Sequence, residues 1–122
     1  MINNEIYQEI YDELSKYVSR DDSLIIYMEY GEASYVFEFY VKNGDTITKC
    51  YDLPNVDEDE LLDSFEKLEA LITPERDKLE EKWSNMTIVI SNEGDMHTDF
   101  DYTSFTDGNY DYMKAWKEKY LK

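Results

Sequence analysis

The dipeptide Asn43-Gly44 constrains this chain more than any other pair of residues in it. Asn-Gly between two runs of β-branched and aromatic residues is a strong short-range signal for a tight antiparallel hairpin, because both positions tolerate positive φ. The run before it is Tyr35-Val36-Phe37-Glu38-Phe39-Tyr40-Val41, and a second strand is expected from Thr46 to Leu53. Upstream, residues 24 to 30 are rich in Ile, Leu and Tyr and meet Tyr35 across Gly31-Glu32-Ala33-Ser34, which extends the hairpin to three strands. A second hairpin follows later, with Met86 to Ser91 and Met96 to Tyr102 joined by Asn92-Glu93-Gly94-Asp95.

Helical periodicity fills the gaps between these strands. Asn3 or Asn4 is placed to cap a first helix whose apolar stripe is Ile6, Ile10, Leu14 and Tyr17. Pro54 stops the sheet, and Asp57 with Glu60 three residues on opens a second helix with Leu61, Leu62, Phe65, Leu68, Leu71 and Ile72 inward. Thr73-Pro74 predicts a kink or a second short helix from Glu75 to Trp83, since proline fits best at a first helical position. A last helix is expected over about Tyr110 to Leu121, capped by Asp107 or Asn109, with lysines suited to the negative end of its dipole. The order implies one α+β domain over residues 1–122, an antiparallel sheet of about five strands with helices packed on one face.

Charge narrows the function. Twenty-nine Asp and Glu against twelve Lys and Arg give a formal net charge of -17, which repels nucleic acid and anionic lipid and attracts a basic partner. Aromatics at 16% set the chain apart from a disordered acidic tail. Cys50 alone forms no intramolecular disulfide, the first residues have neither the basic nor the apolar region of a signal peptide, and no apolar run approaches membrane-spanning length, so a cytoplasmic protein is expected. Residues 21 to 60 hold eleven acidic and two basic side chains, and residues 86 to 112 hold six acids with no Lys or Arg.

Alternation along the strands puts Met96, Thr98, Phe100 and Tyr102 on one face and His97, Asp99 and Asp101 on the other. If Phe37, Phe39 and Val41 face the core, Glu38 and Tyr40 share an outer face that Glu29 can join. The expected partner-binding residues are therefore Glu29, Glu38, Tyr40, Asp99, Asp101, Tyr102, Asp107, Tyr110, Asp111 and Tyr112, an acidic field with aromatic anchors. A merely solvated sheet face is the competing reading for any one of these acids.

Catalytic apparatus is hard to find. His97 is the only histidine, without a recognisable nucleophile turn, and Asp99 with Asp101 has no evident apolar wall to lift one pKa. Asp107-Gly108-Asn109-Tyr110-Asp111 imitates the start of a calcium loop, but Tyr112 stands where the sharp turn needs glycine. Zinc spacing, phosphate-binding loops and dinucleotide glycine patterns are absent, so neither an enzyme nor a cofactor is expected.

Several segments occur in an informative order: Ile6-Tyr7-Gln8-Glu9-Ile10, Tyr27-Met28-Glu29-Tyr30, Trp83-Ser84-Asn85-Met86-Thr87, Gly94 with Asp99-Phe100-Asp101-Tyr102, Tyr110-Asp111-Tyr112, and Trp116-Lys117-Glu118-Lys119-Tyr120-Leu121. In that order they resemble the YezG/EsaG-like immunity proteins. The resemblance implies an antitoxin of Gram-positive bacteria made beside an LXG or type VII secreted toxin. It further implies a partner that is basic, typically the toxin's C-terminal nuclease domain. Blocking of the nuclease cleft, binding at an exosite and distortion of the toxin remain open as modes, and a general acidic chaperone for basic proteins is the alternative function.

Overall fold

The computed structural model describes residues 2–31, 34–54, 56–105 and 108–122. In chain order the elements are α1 (Asn4–Leu14), β1 (Ser23–Tyr30), β2 (Tyr35–Asn43), β3 (Thr46–Lys49), α2 (Glu58–Asp77), β4 (Asn85–Ile90), β5 (Met96–Asp101) and α3 (Tyr110–Tyr120). Single 3-10 turns at Ser15–Tyr17 and Cys50–Asp52 follow α1 and β3. The strands form one antiparallel sheet in the order β3-β2-β1-β4-β5, as an α+β class requires.

β1 is central because it can be buried on both sides. Leu24, Ile26, Met28 and Tyr30 join the larger core with Phe37, Phe39, Met86 and Ile88. Onto that core α1 packs Ile6, Ile10 and Leu14, and α2 packs Leu61, Phe65, Leu68 and Ile72. The alternate residues Ile25 and Tyr27 lie in a second cluster with Tyr40 and Trp116 of α3.

The helices therefore occupy both faces of the sheet, and the expectation that they share one face is corrected. Ile25, Tyr27, Val36, Tyr40 and Val89 make the second face too apolar to leave in water, and Trp116 covers it.

Local signals explain the ends of elements. Asn3 accepts from the Ile6 N–H at 3.0 Å, and Asp57 accepts from the Asp59 N–H at 2.9 Å, so each caps its helix. Gly44 sits at φ 58 in the β2–β3 turn, the left-handed conformation the Asn-Gly signal demands.

α2 runs continuously through Pro74 to Asp77, so the expected second helix from Glu75 to Trp83 does not form; the proline lies in the last turn, where its missing N–H removes a helix bond close to an end. Leu62, expected inward, is exposed, because the buried stripe is carried by Leu61, Phe65, Leu68 and Ile72. β3 stops at Lys49, well short of Leu53, because Cys50 leaves the ladder to enter the core.

Candidate partner-binding surface

On the sheet face that α3 covers, the strand carboxylates Glu29, Glu38, Asp99 and Asp101 border the apolar cluster. Four tyrosine hydroxyls there donate to carboxylates: Tyr27 to Glu29, Tyr40 to Glu38 at 2.9 Å, Tyr120 to Asp99 at 2.6 Å and Tyr112 to Asp101 at 3.3 Å. Two of the pairs join residues on the same face of one strand, and the other two tie α3 to β5.

A polar chain runs beneath them. Trp116 Nε1 donates to Thr87 Oγ1 at 2.9 Å, the Thr87 hydroxyl to Asn85 Oδ1 at 3.0 Å, and Asn85 Nδ2 to the Met28 carbonyl at 3.1 Å. Asn109, at the N-terminus of α3, donates from Nδ2 to both Glu29 oxygens at 2.8 and 3.1 Å. Its side chain thus holds the start of the helix to the sheet instead of capping it.

Electrostatics follow from these bonds. The Tyr120 hydrogen bond, with a further bond and charge from His97, holds Asp99 below the usual carboxylate range against a smaller effect of burial. Asp101 is lowered chiefly by the Thr103 hydroxyl, which donates at 2.7 Å. Burial, reinforced by the adjacent carboxylate, pushes the Tyr120 hydroxyl up to about 12 and raises those of Tyr27, Tyr40 and Tyr112 as well. At neutral pH Asp99 and Asp101 are charged and the phenols are intact donors.

The ten expected residues fall into distinct settings. Glu29 is only 7% exposed and Tyr40 is buried under α3, so neither presents a free surface in this conformation. Glu38 is half-buried and pairs with Lys49 at 3.4 Å. It lies on β2, three strand spacings from β5, or about 14 Å across the sheet.

Asp99, Asp101 and Tyr112 do come together. They line a groove of about 280 Å³ between β5 and α3, with Trp116, Lys119 and Tyr120 among the other walls. Tyr112 packs edge-on to Phe105 with ring centres 5.1 Å apart. Tyr102 and Tyr110 stand out at 52% and 77% exposure, and Asp111 is exposed beside Tyr110. Asp107 lies outside the described residues.

Sequence reasoning missed Asn109, Trp116 and Tyr120 as organisers of this face. Tyr112, Trp116 and Tyr120 recur every four residues, a helical aromatic stripe that signals a buried side for α3. Exposed acids also cover α2, at Glu58, Asp59, Glu60, Asp63 and Glu66, so negative charge extends beyond the sheet face.

Among the described residues no group of three or more His, Cys, Asp and Glu is placed to hold a metal ion, and no helix is long and apolar enough to cross a membrane. His97 meets Asp99 at 2.9 Å but is largely exposed.

The sheet face that α3 covers thus combines an apolar cluster around Tyr27 and Trp116 with carboxylates held by tyrosine hydroxyls at its rim. The family model for YezG-like immunity proteins matches residues 3–122, and the chain belongs to that family. An immunity protein implies a cognate toxin as partner, and such families are in general not enzymes. No curated protein sequence matches the chain.

Proposed function

We propose that this immunity protein works in the cytoplasm by binding the C-terminal nuclease domain of a secreted toxin of the LXG, type VII class, through the acidic rim where β5 approaches α3. The observation that carries the reading is a division of labour between residues. Asp99 and Asp101 are fixed by Tyr120, Tyr112 and Thr103, whereas the rings of Tyr102 and Tyr110 are exposed at 52% and 77%.

Fixed charges attract a cationic surface over long range, and large amphipathic rings supply contact area at small entropic cost. A nuclease holds a polyanion and so carries a basic cleft, which an acidic rim complements. Glu29 and Tyr40 then serve by holding α3 in place, and Glu38 contributes from the β2 side.

The decisive measurement is binding of the toxin domain encoded beside this gene by wild type and by a Tyr102→Ala, Tyr110→Ala double variant. Equal affinity and equal protection from the two proteins would remove this surface from the mechanism. Absence of any binding by wild type would remove the toxin assignment.

A further inference from the structure

β2 is nine residues long and β3 only four, so their ladder ends at the pair Tyr40 and Lys49. Asn43 stands opposite Thr46 across the two-residue Gly44-Asp45 loop, and the pair closing such a loop exchanges backbone bonds. Alternation then aims the backbone N–H and C=O of Asn43, Val41, Phe39, Phe37 and Tyr35 away from β1. Phe39 lies next to the end of the ladder, where the chain turns away at Cys50 into its 3-10 turn. Beyond it, among the described residues, the outward N–H and C=O groups of Phe37 and Tyr35 meet no strand.

Beside this open edge runs a groove of about 320 Å³, lined by Tyr35, Phe37, Tyr51, Leu62, Phe65 and the acids Glu38 and Glu66. Its rings are packed in place, with Tyr35 to Phe37 at 5.0 Å and Tyr51 to Phe65 at 6.5 Å between centres. Leu62 is 48% exposed although it sits on a helix with a well-formed buried stripe, and Tyr35 and Tyr51 are exposed beside it. Among the described residues no lysine or arginine lines the groove. The nearby Lys49 is matched by Glu38 at 3.4 Å, and Glu58 adds a further negative charge close enough to help raise the Tyr51 hydroxyl's pKa, a shift due first to burial.

We propose that the outer edge of β2 at Tyr35–Phe37 accepts an extended, basic segment of the toxin as an added strand, with alternate side chains on Leu62 and Tyr51 and a Lys or Arg reaching Glu38 or Glu66. This rests on the toxin-binding reading above and adds to it a second contact, on the opposite edge of the sheet from β5. Strand addition draws affinity from backbone bonds and specificity from pockets for every second side chain. An open edge beside exposed aromatic and aliphatic groups supplies both.

Two measurements test it with the complete chain and the C-terminal domain of the toxin encoded beside its gene. Amide exchange at Phe37 should be fast relative to its β1-paired neighbours in the free protein and slow by about a hundredfold in the complex. Leu62→Lys, at an exposed position that leaves the core intact, should weaken binding by about tenfold or more through apolar loss and like-charge repulsion.

A toxin domain that binds and is neutralised while Phe37 exchange stays unchanged overturns the added strand and leaves the immunity function standing. Unaltered affinity of the Leu62→Lys variant overturns the groove contact in the same way. A wild-type protein that fails to bind the toxin domain at all overturns both the added strand and the reading it rests on.

Discussion

Tyr120 donates its hydroxyl to Asp99 Oδ2 at 2.6 Å, so the last turn of α3 is bonded to the edge strand β5. The pair converts a carboxylate that strand alternation presents to solvent into an anchor for the helix. It also keeps the charge, because a hydrogen bond to the ionised form favours ionisation.

Tyr120→Phe removes that bond and little else. A hydrogen bond to a charged group contributes about 1.5–3 kcal/mol, reduced here to about 1 kcal/mol because the pair is partly exposed to water. Asp99 has a folded pKa below its ordinary 3.8, so its contribution is complete above that value and disappears as pH falls through the lowered one. Urea melts should show the variant weaker than wild type at pH 7, with the gap closing as pH falls below 3.8 through the lowered pKa. A gap independent of pH would assign the loss to packing.

Glu29→Gln tests the other end of α3. Glu29 accepts from the Tyr27 hydroxyl and, on both its oxygens, from Asn109 Nδ2, two donor groups making three contacts. Glutamine offers one acceptor and brings an NH₂ group against those same donors, so one of them is left without a partner in a buried site. The expected loss is about 1–3 kcal/mol, with faster amide exchange concentrated in the first turn of α3. Wild-type exchange there would mean that Asn109 is not what tethers the helix.

The fold was legible where a signal was local. Asn43-Gly44 gave the β2–β3 turn, Asp57 gave the start of α2, and the second hairpin ends within a residue of its expected limits. β3 was read as too long because Cys50 and Leu53 are acceptable strand residues, and only the packed core decides that Cys50 turns inward. Alternation placed Asp99 and Asp101 on one face of β5, but neither the apolar cluster beside them nor the helix that covers it was readable from the strands. Asp101 finds Tyr112 eleven residues away, Asp99 finds Tyr120 at twenty-one, and Glu29 finds Asn109 at eighty. No pattern within one strand specifies partners at such separations.

Tyr102→Ala and Tyr110→Ala should separate stability from binding. Both rings are exposed, so truncation should move the folding free energy by no more than about 0.5 kcal/mol. If they anchor the toxin, each should weaken binding by about 1–2 kcal/mol, or about five- to thirtyfold. Calorimetry against the toxin domain, beside a thermal melt of the free protein, gives both numbers. A variant that loses stability as much as affinity would place the ring in the fold and outside the interface.

Charge reversal at Asp99 and Asp101 distinguishes steering from contact. With a net charge of -17, encounter with a basic domain is accelerated by a field that screens over about 10 Å at 0.1 M salt. Association of the wild-type pair should therefore fall steeply as salt rises, from about 10⁸–10⁹ M⁻¹s⁻¹ toward about 10⁵–10⁶ M⁻¹s⁻¹, while dissociation changes far less. Replacing both aspartates by lysine also breaks their bonds to Tyr120 and Tyr112, so the stability cost must be measured in the same samples. In a folded double variant, slower association with full inhibition at saturation indicates that the acids guide the encounter. Loss of inhibition at saturation indicates that they occupy the basic cleft themselves. Stopped-flow rates that ignore salt would leave the acidic rim without a part in recognition.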